Sequence, residues 1–74
     1  MQSIQPISPS RLIKAMEKLG YIATRQRGSH VTMINHEKKS RTCVSVHSSK
    51  VNRNIIRKIL KQIDVSEEEF LGVI

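Results

Sequence analysis

The chain has 74 residues, room for one small domain, with 13 Lys and Arg against six Asp and Glu and a formal charge of +7. A chain of this size buries only ~60% of its unfolded surface, so its core is small, and with one Tyr, one Phe and no Trp it is aliphatic. A large multi-step active site is excluded, and any catalysis must run on a few side chains at a surface or shallow cleft. No apolar run approaches the ~20 residues that cross a bilayer, and the N-terminus lacks the basic segment and apolar core of a secretion signal. A single cysteine, Cys43, can form no intrachain disulfide and no cysteine-based zinc site, and it reads as a small apolar strand residue. A soluble protein of a reducing compartment, the cytoplasm, is expected.

The charge is unevenly placed. All 13 basic residues precede Asp64, accompanied only by Glu17 and Glu37, so that stretch carries +11; from Asp64 onward there are four acids and no base, giving −4. Such a cationic body calls for a polyanion, with nucleic acid first and an acidic protein partner second, although charge can also serve solubility alone.

Residues 1–7 are polar with scattered Ile and read as a loose lead-in. Ser8-Pro9 or Ser10 can cap a helix, and Leu12, Ala15, Met16 and Leu19 follow at the spacing of one buried helical face. Gly20 stops that helix, while Arg11, Lys14 and Lys18 share another face. The period then changes. Tyr21 to Arg27 reads as a strand and Arg27-Gly28-Ser29 as a tight turn. His30 to Asn35 alternates, with Val31 and Met33 on one side and His30, Thr32 and Ile34 on the other. After a polar turn, Arg41 to His47 places Thr42, Val44 and Val46 on one face and Arg41, Cys43, Ser45 and His47 on the other. Three strands with two close turns make an antiparallel meander.

His47-Ser48-Ser49-Lys50 is a loop, and Asn52 can cap a second helix. Ile55, Ile56, Ile59, Leu60 and Ile63 form its expected buried stripe, with Arg53, Arg57 and Lys61 on the far side as a solvated face or a phosphate stripe. Ser66-Glu67-Glu68-Glu69 matches a capping box and predicts a short third helix carrying Phe70 and Leu71. A lone helix or three-stranded sheet cannot bury its apolar face in water, so an α+β fold is expected, with both helices on one face of the sheet. His30 and His47 then point to the open face, among Arg41 and Ser45, in a register that a one-residue slip would reverse.

Gly28-Ser29-His30, with Arg25 just upstream, resembles the HicA family of toxin ribonucleases. The likeness continues through Val44-Ser45-Val46-His47, Ile55-Ile56-Arg57-Lys58-Ile59-Leu60-Lys61-Gln62 and Val65-Ser66-Glu67-Glu68-Glu69-Phe70-Leu71. It covers residues 8 to 74 in order; Gly-Ser-His alone is common, whereas the ordered set is specific. The resemblance implies a single domain over 1–74 with a double-stranded-RNA-binding-domain-like αβββα fold. It also implies messenger-RNA cleavage, neutralisation by a HicB-type antitoxin, and His30 as the catalytic residue. The sequence departs from the family pattern at Val31, where a second His is common, and at Asn54-Ile55, where Gly-Thr is common.

Metal-free RNA cleavage needs a base for the 2′-OH and an acid or cation for the leaving oxygen. An imidazole, with an unperturbed pKa of ~6.5, suits both tasks. Around His30, Gly28 would allow the turn and a close approach of RNA, and Ser29 could bond a phosphate oxygen. Arg25 and Arg27 could hold the phosphate, Lys50 could contact another, and His47 could assist across the open face or cap the strand end. His36, beside Glu37 in a polar turn, reads as a solvated loop residue. The three histidines lack metal-ligand spacing, so no metal and no small-molecule cofactor is expected, nor any membrane contact. Two other readings stay open: a non-catalytic RNA-binding module of the same fold, and a protein-interaction domain whose basic surface meets an acidic partner.

Overall fold

The computed structural model describes residues 3–74. Among them run α1 (Pro9–Lys18), β1 (Ile22–Arg27), β2 (His30–Asn35), β3 (Ser40–Ser45), α2 (Arg53–Ile63) and α3 (Glu67–Leu71), an α+β chain of αβββα order with a short terminal helix. The sheet is antiparallel in the order β1-β2-β3.

Each helix is bounded by groups that satisfy its free backbone ends. Ser8 caps α1 by accepting the Arg11 N–H at 3.2 Å, and Pro9 takes the first turn, where its missing N–H leaves nothing unpaired. At the other end Gly20 adopts φ +96°. The Tyr21 N–H then reaches the Met16 carbonyl and the Gly20 N–H the Glu17 carbonyl, a Schellman closure. Asn52 caps α2 through the N–H groups of Asn54 and Ile55, and Asp64, left-handed at φ 58°, ends it. Ser66 caps α3 through Glu69 N–H.

The period-two patterns of β2 and β3 hold. Val31, Met33, Thr42 and Val44 are buried toward the helices, where Leu12, Ala15, Met16, Ile56, Ile59, Leu60 and Ile63 meet them. Two polar residues sit in this layer with partners. Thr42 Oγ1 donates to Gln62 Oε1 at 2.7 Å, fastening β3 to α2. Asn35 Nδ2 donates to the Leu19 carbonyl and its Oδ1 accepts from Lys38 N–H, joining the end of α1 to the β2–β3 turn. A buried polar group left unpaired would cost about 1–3 kcal/mol. Tyr21 and Phe70 are wholly buried, and the Tyr21 hydroxyl donates to Ser40 Oγ at 2.8 Å.

Four expectations are corrected. Met1 and Gln2 of the expected lead-in lie outside the described residues, but the rest of that lead-in is not loose: Ile4 and Ile7 belong to the core, and Ile7 exchanges two backbone hydrogen bonds with Val51. The long-range bridge and the burial of two isoleucines hold a segment too short to show a period. Ile55 leaves the buried stripe, at 44% exposure, because it lies on the flank of that stripe, about 100° around the helix from the wholly buried Ile56. The third strand ends at Ser45, so Val46 packs against the core and His47 follows in the loop. Arg57 does not stand freely on the solvated face: its Nε is turned in, 3.5 Å from Glu67 Oε1 of α3. Arg53 and Lys61 are exposed.

Candidate nucleic-acid interface

The open face of the sheet is built by strand register. His30 lies opposite Arg27 on one side and Ser45 on the other, and Thr32 lies opposite Arg25 and Cys43. Residues paired across strands share a face, so Arg25, Arg27, His30, Thr32, Cys43 and Ser45 point away from the helices. Arg41 joins them opposite Ile34. A shallow cleft on this face is lined by Arg25, Arg27, His30, Thr32, Arg41 and Cys43. Among the described residues its lining contains three guanidinium groups and no carboxylate.

The arginines of β1 reach this face only because the strand is irregular. Tyr21 is buried in the core, and strict alternation from it would send Ala23, Arg25 and Arg27 toward the helices as well. Instead the register shifts between Ala23 and Arg25, so Thr24 is an extra residue without its own partner. That bulge turns Arg25 and Arg27 onto the side of His30. No period in the sequence signals it.

The Gly28-Ser29 turn sets the other boundary. Gly28 has φ +60° and a side chain there would meet nothing, so glycine serves the backbone conformation rather than space. Ser29 is half-buried, and its carbonyl accepts the Val46 N–H at 2.7 Å. This bond ties the hairpin tip to the segment leaving β3 and holds His30 beside Ser45.

His47 and Lys50 fall in an adjoining hollow, lined also by Ser45, Ser48, Val51, Asn52 and the exposed Ile55. The His47 ring hydrogen-bonds through Nδ1 to Ser45 Oγ, and Ser45 is the strand partner of His30. Ser45 is thus the joint between the cleft and the hollow. Of the residues named from sequence, Arg25, Arg27 and His30 share the cleft, Gly28 and Ser29 form its turn, and His47 and Lys50 stand next to it. His36 lies at the far end of β2, exposed in the β2–β3 turn.

Sequence reasoning set Arg41 and Ser45 on the open face beside His30 but gave no role in the site to them, to Thr32 or to Cys43. The alternation of Arg41, Cys43 and Ser45 along β3 was the signal for three of them. Cys43 occupies a strand as expected, but it is exposed in the cationic cleft, with Sγ 3.8 Å from Thr32 Oγ1, rather than packed as an apolar residue. No described helix is long and apolar enough to cross a membrane.

A family model described as the HicA toxin of bacterial toxin–antitoxin systems matches residues 9–65, from the first residue of α1 to just beyond α2. No match was found among curated proteins. The matched span contains the sheet, both long helices, the cleft and the adjoining hollow, and the chain belongs to the HicA toxin family of bacterial toxin–antitoxin systems.

Proposed function

We propose that this chain is an endoribonuclease that cleaves messenger RNA without a metal, in the cytoplasm, and is neutralised by a HicB-type antitoxin. The observation that carries the reading is the exposed His30 imidazole standing in a cleft whose other ionisable side chains are three arginines and one thiol. An RNA strand supplies what that face lacks: phosphates for Arg25, Arg27 and Arg41, and a ribose hydroxyl for the imidazole.

In the proposed step, neutral His30 takes the proton of a ribose 2′-OH. The 2′ oxygen bonds to the adjacent phosphorus as the bond from phosphorus to the 5′ oxygen breaks, leaving a cyclic phosphate and a free 5′ hydroxyl. The departing oxygen receives its proton from protonated His47, the next imidazole along this surface, held through Ser45. The guanidinium groups offset the charge that gathers on the phosphate oxygens in the transition state. One positioned acid–base group contributes about 10²–10⁴-fold, sufficient for slow cleavage of an abundant substrate.

Val31 does not weaken this reading. Position 31 is buried on the helix side of β2, so a second imidazole there would face the core and not the cleft.

The test incubates the purified chain with RNA in EDTA, beside a His30→Ala variant whose thermal unfolding is measured. Cleavage by the parent, reduced about 10²-fold or more in an equally stable variant, is the expected result. Equal cleavage by both would remove His30 from the reaction. Salt-sensitive RNA binding by a parent that never cuts would make the chain a binding module.

A further inference from the structure

β1 is the least covered element of the fold. All six residues from Ile22 to Arg27 are exposed, although Ala23 and Gln26 pair with Met33 and Val31 and so lie on the helix side of the sheet. The helices stop short of them. The strand order places β1 at an edge, and among the described residues the backbone of Ile22–Arg27 makes no hydrogen bond outside its pairing with β2. Both faces and the outer edge of one strand are therefore open. Along this edge the chemistry is graded. Ile22 is 50% exposed beside Ile34, at the border of a hollow that also includes Leu19 and Gly20. Three and five residues further on, Arg25 and Arg27 project from the open face.

We infer that the free edge of β1 receives an extended acidic segment of the antitoxin by strand addition, with an apolar side chain at Ile22 and carboxylates at Arg25 and Arg27. The partner's identity rests on the function proposed above; the recognition chemistry rests on the edge itself. A free edge offers a ladder of N–H and C=O groups that only another polypeptide backbone can match, with alternate side chains setting specificity. RNA can use the arginines but gains nothing from that ladder or from Ile22. A second copy of this chain can match the ladder, but it sets Arg25 and Arg27 against like charges, which disfavours the pairing. An acidic strand satisfies the ladder, the apolar foot and the cations together.

This geometry gives neutralisation a specific form. The carboxylates of the added strand occupy Arg25 and Arg27, two of the guanidinium groups that would hold the RNA phosphates, so the toxin is blocked at its substrate contacts.

The test co-expresses the chain with a HicB-type antitoxin that inhibits it and follows amide hydrogen exchange in the complex and in the free chain. Slowed exchange of the Ile22–Arg27 amides on complex formation is expected. Ile22→Asp should weaken antitoxin binding at least tenfold while leaving RNA cleavage by the free chain unchanged. Ile22→Thr, which keeps β-branching, provides a milder version should the aspartate unfold the strand. An inhibited complex in which the β1 amides exchange as fast as in the free chain overturns the inference, as does unchanged affinity of both variants. Cleavage assays on the free chain keep the two readings apart, because a parent that does not cut RNA sinks the nuclease and leaves the edge contact standing.

Discussion

The two edge strands of this sheet are of equal length and opposite character. β3 buries Thr42 and Val44 under the helices and is fastened to α2 by the Thr42–Gln62 hydrogen bond, whereas β1 buries none of its six residues and is held by its pairing with β2. Burial is thus concentrated on one edge and exposure on the other. An edge that contributes little to the core is free to carry cations that a packed strand would have to desolvate, and Arg25 and Arg27 sit on that edge. The charge also discourages aggregation of an otherwise adhesive strand, as does the kink at Thr24.

Substitutions that treat the two edges alike should produce unlike results. Val44→Ala on β3 removes two buried methyl groups and is expected to lower stability by about 2 kcal/mol in urea unfolding. A deletion within β1 should act on RNA according to whether it turns an arginine off the open face. Without Gln26 the two arginines become neighbours, and adjacent strand residues point to opposite faces, so one leaves the cleft. RNA cleavage should then fall by about tenfold, the order expected for loss of one charge-assisted phosphate contact. Deleting the bulge residue Thr24 keeps both arginines on the open face, and cleavage should stay within a few-fold of the parent. A similar loss from both deletions would show that the bulge does not set the facing of Arg25 and Arg27.

Milder changes sharpen the same contrast. Arg25→Gln should weaken RNA binding and reduce the slope of log affinity against log salt by about 0.7–0.9, the share of one phosphate contact. Gln26→Ala, on the helix side of β1 yet exposed, should alter stability by no more than about 0.5 kcal/mol. A loss as large as that of Val44→Ala would mean that β1 carries packing after all.

Most of the secondary structure was legible because it is encoded locally. The i, i+3, i+4 spacing of Leu12, Ala15 and Met16, the caps Ser8, Asn52 and Ser66, and the left-handed Gly20 all act within a few residues of themselves. The facing of His30 was legible too, since Val31 and Met33 fix the parity of β2. The facing of Arg25 and Arg27 was not, because a bulge depends on how two strands pair. Ile55 is instructive in the same way: its spacing puts it on the flank of the α2 stripe, and only packing decides how wide a stripe is covered.

The sequence by itself determined the element order, the cationic body with its acidic tail, and the faces of β2 and β3. These follow from period, capping chemistry and charge, which are properties of neighbouring residues. Tertiary structure decided that Ile4 and Ile7 enter the core, that Arg57 meets Glu67, that β1 stays uncovered, and that Thr24 bulges to bring its arginines beside His30. Each of these depends on segments distant in sequence finding room for one another, and close packing of a small core permits few arrangements that satisfy them together.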